Sequence, residues 1–163
     1  MTGDRAAHPA SLHVLVVDDE ALTAQAHASY VDRLPGFRGV GVAGTASAAI
    51  LAVRAAASGD AERIDVVLLD INMPDATGID VARRLRAEGH DVDIIAVTAV
   101  REAATVKQAV SLGIAHYLLK PFTFQTFAEK LEALREYRAG IFDHVVSSQD
   151  EVDQTLASLR QAT

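Results

Sequence analysis

A few side chains, each placed at the end of an apolar run, could do chemistry together. Asp18 and Asp19 close the run Val14-Leu15-Val16-Val17, and Asp70 closes Val66-Val67-Leu68-Leu69. Thr98 closes Ile94-Ile95-Ala96-Val97, and Lys120 follows the run from Ile114 to Leu119. Short apolar runs closed by turn residues read as strands buried on both faces. If they share one sheet, their ends deliver acids, a hydroxyl and an amine to a single crevice. Three carboxylates there repel one another. At about 4 Å and an effective dielectric of about 20, each like-charge pair costs on the order of 4 kcal/mol. A hard divalent cation offsets this, and magnesium favours a few carboxylates with a carbonyl and waters. Lys120 adds a fixed positive charge. A nucleophilic carboxylate, a cation and hydrogen-bond donors are what transfer of a phosphoryl group onto a side chain needs.

The elements between these runs are helical. From Ala21 to about Leu34 the positions Leu22, Ala26, Tyr30 and Leu34 share a face, and Pro35-Gly36 stops the helix. Phe37 to Ala43 is a glycine-diluted strand suited to a sheet edge. Thr45 or Ser47 can cap a helix running to about Ala57. Ile79 to Glu88 is a helix with Ile79, Val81, Ala82 and Leu85 inward and Arg83, Arg84 and Arg86 on a solvated face. Arg101 to Leu112 and Thr123 to about Tyr137 complete five β-α units. Such alternation predicts an α/β fold: a doubly wound five-stranded parallel sheet with right-handed crossovers, and one common order of such a sheet is 2-1-3-4-5. In that order the first and third strands are neighbours at the switch point, which brings Asp18, Asp19 and Asp70 together.

The chain divides into a loose tail over 1–10, one domain over 11–138 and a helical extension over 139–163. Ile141, Phe142, Val145 and Val146 lie outside the five units, and Gly140 weakens the helix before them. Ser147-Ser148 can cap a further helix from Gln149 to Arg160, with Val152, Leu156 and Leu159 on one face. Such a stripe needs a partner chain or another domain to cover it. The 163 residues carry a net charge of −7 and no cysteine. An acidic chain with no Lys/Arg cluster is a poor candidate for gripping phosphate backbones by itself. Lack of cysteine excludes disulfides, thiolate metal sites and cysteine nucleophiles. No apolar run reaches membrane-spanning length and residues 1–10 lack a signal-peptide core, so the expectation is a soluble cytoplasmic protein.

Several residues also have plainer uses. Asp19 can be an N-cap, Asp70 a turn residue, Thr98 an ordinary strand-end hydroxyl, Tyr117 core packing and Lys120 a solvated lysine. Gly39-Val40-Gly41-Val42-Ala43-Gly44 has the G-x-G-x-x-G spacing of dinucleotide loops, but its glycines fall inside a strand rather than after one. The six histidines show no metal spacing and read as scattered surface or half-buried residues.

Taken together, the motifs resemble the receiver domain of a two-component response regulator over residues 12 to 137. The likeness is carried by Val14-Leu15-Val16-Val17-Asp18-Asp19-Glu20, Leu68-Leu69-Asp70-Ile71-Asn72-Met73-Pro74 with Gly78, Val97-Thr98-Ala99, and Tyr117-Leu118-Leu119-Lys120-Pro121-Phe122. The resemblance implies a flavodoxin-like fold and a switch that catalyses only its own phosphorylation and slow dephosphorylation. It makes Asp70 the phospho-acceptor for a partner histidine kinase. Asp19 would bind Mg2+ directly, Asp18 mainly through water, and Asn72 through its backbone carbonyl. Thr98 and Lys120 would hold phosphoryl oxygens, Tyr117 would be the switch aromatic, and Lys120-Pro121 a cis peptide beside structural Pro74 and Gly78.

Residues 147–159 are similar to the segment that precedes the helix-turn-helix in citrate and C4-dicarboxylate-sensing regulators. That implies a homodimeric transcription factor that meets DNA only through a further C-terminal domain. The alternatives are a stand-alone receiver or dimerisation module and, from another class, an α/β enzyme acting on a phosphate ester.

Overall fold

The computed structural model describes residues 11–99, 112, 114 and 116–143. The proposed tail over 1–10, the helix from Arg101 and the segment beyond 143, with its Gln149–Arg160 helix, lie outside the described residues.

The strands are β1 (Leu12–Val17), β2 (Phe37–Ala43), β3 (Val66–Asp70), β4 (Asp93–Thr98) and β5 (His116–Leu119). The described helices are α1 (Ala21–Arg33), α2 (Ala46–Ser58), α3 (Gly78–Ala87) and α4 (Phe124–Asp143). All strand pairs are parallel, and the sheet order is β2-β1-β3-β4-β5. Glycine-diluted β2 is one of the two edges. Central β3 is buried at every position, which is why its sequence is apolar without alternation.

Successive side chains of a strand point to opposite faces, so each strand feeds two cores. Leu15, Val17, Val67, Leu69, Ile94 and Ala96 pack on one side with residues of α2 and α3. Val14, Val16, Val66, Leu68, Ile95 and Val97 pack on the other with α1 and α4. Each fully buried aliphatic side chain contributes roughly 1.5–3 kcal/mol.

Register places the strand ends. Val17 pairs with Leu69, so Asp18 emerges beside Asp70. Asp70 pairs with Val97, which puts Thr98 one step beyond it, and Thr98 pairs with Leu119, which puts Lys120 next. The Ile71 N–H donates to the Val97 carbonyl and the Lys120 N–H to the Thr98 carbonyl, both at 2.9 Å, so the ladder continues into the loops.

Four expectations need correction. The buried face of α1 is Ala24, His27 and Val31, whereas Leu22 is 81% exposed and Ala26 is exposed. His27 is therefore a buried histidine, not a scattered surface or half-buried one. It fits because its ring stacks on Phe122 at 4.8 Å. Arg86 is not on a solvated face: its guanidinium donates to the carbonyls of Leu112, His90 and Val92 at 3.1, 2.9 and 2.8 Å. Finally, α4 does not end near Tyr137 but runs through Gly140 to Asp143. One glycine costs a helix about 1 kcal/mol, too little to stop it alone.

Candidate functional site

Each site residue is delivered by a strand end and held by its own loop. Asp18 is 2% exposed, and its Oδ1 accepts the Glu20 N–H at 2.9 Å. Glu20 is the N-cap of α1 and its side chain makes no capping bond. Asp19 is thus not the cap, and its exposed carboxylate faces the same space as the other two. Asp70 is 4% exposed, and its Oδ1 accepts the Asn72 N–H at 3.2 Å. One oxygen from each of Asp18, Asp19 and Asp70 lies within 4.8 Å of the others. Lys120 Nζ donates to Asp18 Oδ2 at 2.8 Å and lies 3.8 Å from Asp70 Oδ1.

Thr98 is buried at its strand end, and so is the Tyr117 ring on β5, with Lys130 Nζ 5.6 Å from its centroid. The Lys120–Pro121 peptide is cis. Asn72 and Pro74 lie exposed on the loop between β3 and α3, and Gly78 is buried where that loop closes. A Cβ on Gly78 would fall 2.4 Å from the Asp70 carbonyl oxygen and 2.8 Å from Ile71 Cα, so only glycine lets α3 begin this close to Asp70. Sequence spacing thus brought Asp18, Asp19, Asp70, Lys120 and Thr98 to the carboxyl edge of one sheet. Tyr117 lies deeper in the sheet, paired with Ala96 two residues before Thr98.

Electrostatics at this edge are unbalanced. Burial pushes the Asp70 carboxyl up to about 6. Lys120 and the Asn72 N–H pull it down, while Asp18 and Asp19 push it further up. Burial draws the Lys120 ammonium down, but the hydrogen bond to Asp18 and the charges of Asp70, Asp18 and Glu20 outweigh it and hold it above its ordinary value. Burial lowers the His27 imidazole below its ordinary value, with Asp18 raising it and Lys120 lowering it further. The donor set is hard oxygen only and carries more negative charge than one lysine neutralises. Those features fit a small divalent cation held by Asp18, Asp19 and Asp70.

Sequence reasoning passed over Thr77 and Asp75. Thr77 Oγ1 caps α3 by accepting the Asp80 N–H at 3.1 Å; the signal was Thr77-Gly78-Ile79-Asp80, a capping-box spacing. Asp75 carries no such local mark, because these bonds go to the N–H groups of Ala46 and Ser47 at the start of α2, 29 and 28 residues away.

The response regulator receiver domain family model matches residues 14–132. Among curated relatives, the transcriptional regulatory protein MalR of Bacillus subtilis is 30% identical over 93% of this chain and 62% of its own. The transcriptional regulatory protein DcuR of Shigella flexneri is 34% identical over 89% of this chain and 59% of its own. The chain therefore spans about three-fifths of the length of those relatives. Among solved structures, the signal receiver domain of the response regulator NarL from Mycobacterium tuberculosis superposes with a TM-score of 0.68 at 26% identity, covering 78% of this chain and 98% of that one. Among the described residues no helix is long and apolar enough to cross a membrane. The chain belongs to the response regulator receiver domain family, whose members are signalling switches rather than metabolic enzymes.

Proposed function

We propose that Asp70 accepts a phosphoryl group from the phosphohistidine of a partner sensor kinase, with Mg2+ at Asp18, Asp19, Asp70 and the Asn72 carbonyl. The observation that carries this is the meeting of three carboxylates and Lys120 Nζ at one strand edge. A carboxyl near 6 is mostly ionised at neutral pH, so Asp70 can act as nucleophile. One of its oxygens forms the new P–O bond as the P–N bond to the donor imidazole breaks, and the electron pair leaves with the imidazole. Mg2+ supplies neutralisation of the charge on the transferring oxygens. Lys120 exchanges Asp18 for a phosphoryl oxygen, and Thr98 donates its hydroxyl to another.

The new charge and acceptor oxygens at Asp70 bias the positions of Thr98 and Lys120. Because Lys120 N–H is bonded to the Thr98 carbonyl, β4 and β5 respond together, and Tyr117 on β5 repacks with them. The reading extends to the whole protein by likeness to MalR and DcuR: a cytoplasmic, dimeric regulator of transcription that meets DNA through a separate domain.

Acetyl phosphate with Mg2+ tests the chemistry. Intact mass should show one phosphoryl group on the wild type, none on Asp70→Asn, and a much reduced fraction on Lys120→Ala. Labelling that persists in Asp70→Asn, or a wild type that stays unlabelled, overturns the assignment.

A further inference from the structure

One side chain ties together the two loops that flank the acid cluster. Asp75 Oδ1 accepts the Ala46 N–H at 3.1 Å and Oδ2 the Ser47 N–H at 3.3 Å, across a sequence separation of 29 and 28 residues. Asp75 lies on the loop that leaves Asp70; Ala46 and Ser47 open α2, just after the β2 end whose Ala43 carbonyl accepts the Asp18 N–H at 3.0 Å. The helix already has its own cap, because Thr45 Oγ1 takes the Ala48 N–H at 3.0 Å. The two caps serve different orphan donors of the first turn. Thr45 completes the helix from within its own sequence, whereas Asp75 connects it to a distant loop. Hydrogen bonds from the Ala46 backbone first, and then Ser47, hold the Asp75 carboxyl below its ordinary value.

We propose that Asp75 is a positioning residue for the divalent cation: its clamp onto the start of α2 holds the loop that carries the Asn72 carbonyl against the acid cluster. This rests on the cation assignment made above. Asn72 is exposed, and among the described residues its N–H is tethered to the site by a bond to Asp70 Oδ1 at 3.2 Å. A loop already ordered gives up less conformational freedom when the ion arrives, and that saving appears as affinity. Without the clamp the ordering must occur on binding, so affinity falls while the chemistry of the loaded site is unchanged.

Calorimetric titration of the unphosphorylated full chain with MgCl2 alone, beside thermal melts, separates this role from mere helix capping. Asp75→Ala should raise the Mg2+ Kd about five-fold. Asp75→Asn, which keeps one acceptor oxygen, should recover most of that loss. Thr45→Ala, which removes the local cap, should lower Tm by a similar amount yet leave Kd within about two-fold. At saturating Mg2+, Asp75→Ala should take phosphoryl groups from acetyl phosphate at the wild-type rate. A wild-type Kd in Asp75→Ala, or equal weakening by Thr45→Ala, overturns the clamp. A wild type that takes up no Mg2+ overturns the cation assignment itself, a separate and distinguishable failure.

Discussion

The two ends of the sheet treat charge in opposite ways. At the amino ends of β3 and β4 the acids are answered by cations. Asp65 accepts the His13 N–H at 2.8 Å and pairs with Arg63 at 3.1 Å, and Asp93 pairs with Arg138. Nearby, Glu88 is held down to about 2 by its hydrogen bond to Arg54, with Arg84 adding to it. At the carboxyl ends Asp18 and Asp70 share Lys120 with Asp19 beside them, and burial with its like-charged neighbours lifts Asp70 to about 6. A carboxyl is thus pushed below its ordinary range at Glu88 and above it at Asp70. The difference shows which end is built for stability and which retains a charge imbalance that an ion or a phosphoryl group can resolve. Active sites commonly show such perturbed carboxyls.

If that contrast is right, deleting a charge should have opposite signs at the two ends. The largest effect is expected from Arg86→Ala, which leaves the carbonyls of Leu112, His90 and Val92 without their donor. Loss of hydrogen bonds to a charged, half-buried donor should cost about 3 kcal/mol, roughly 10 °C in Tm. A loss below about 1 kcal/mol would mean water replaces the guanidinium there.

The opposite sign is expected from Asp70→Asn. A carboxyl raised from 3.8 to about 6 costs the ionised folded state at most about 3 kcal/mol. Asparagine also weakens the attraction to Lys120, so we expect metal-free Asp70→Asn to be more stable by on the order of 2 kcal/mol at pH 7. The folded carboxyl has the higher pKa, so between about pH 4 and 6 the folded state binds more protons than the unfolded one. Wild-type stability therefore falls as pH rises through that window, and the deficit is complete above it. The variant's advantage should be full above pH 6 and vanish towards pH 4 in chelator-containing buffer. An Asp70→Asn protein less stable than wild type at pH 7 without metal would show that the carboxyl end is not strained by its charge.

Much of this contrast is legible in the sequence, and the rest is not, for physical reasons. Strand ends announce themselves because β1, β3 and β4 are buried on both faces, and the first polar residue marks the exit. With parallel order, the register of Val17 on Leu69 and Thr98 on Leu119 then leaves little freedom for where Asp18, Asp70 and Lys120 go. The face of α1 was misread because periodicity scores histidine as polar, whereas the Phe122 ring lets His27 be buried. Arg86 was misread because its acceptors come from the loop around His90 and Val92 and from Leu112, 26 residues away. Asp75 was invisible for the same reason. Long-range side-chain-to-backbone bonds leave no local pattern. The length of α4 is underestimated because the apolar spacing breaks at Arg138 and Gly140 weakens the helix, yet neither stops it before Asp143.

The smallest effect belongs to Arg138→Ala, and it sharpens the comparison most. Arg138 lies on α4 between Asp93, its close partner, and Asp65, 3.9 Å away, and its side chain is 29% exposed. Partial exposure screens the pair, so its loss should cost about 1 kcal/mol at low ionic strength and well under half that in about 1 M salt. The variant should retain wild-type Mg2+ affinity and wild-type labelling by acetyl phosphate, because the sheet separates Arg138 from the acid cluster. If instead Arg138→Ala changes either one, the amino end is coupled to the site rather than merely supporting it. The six-residue strand β4 is then the element to examine, since it begins at Asp93 and ends at Thr98.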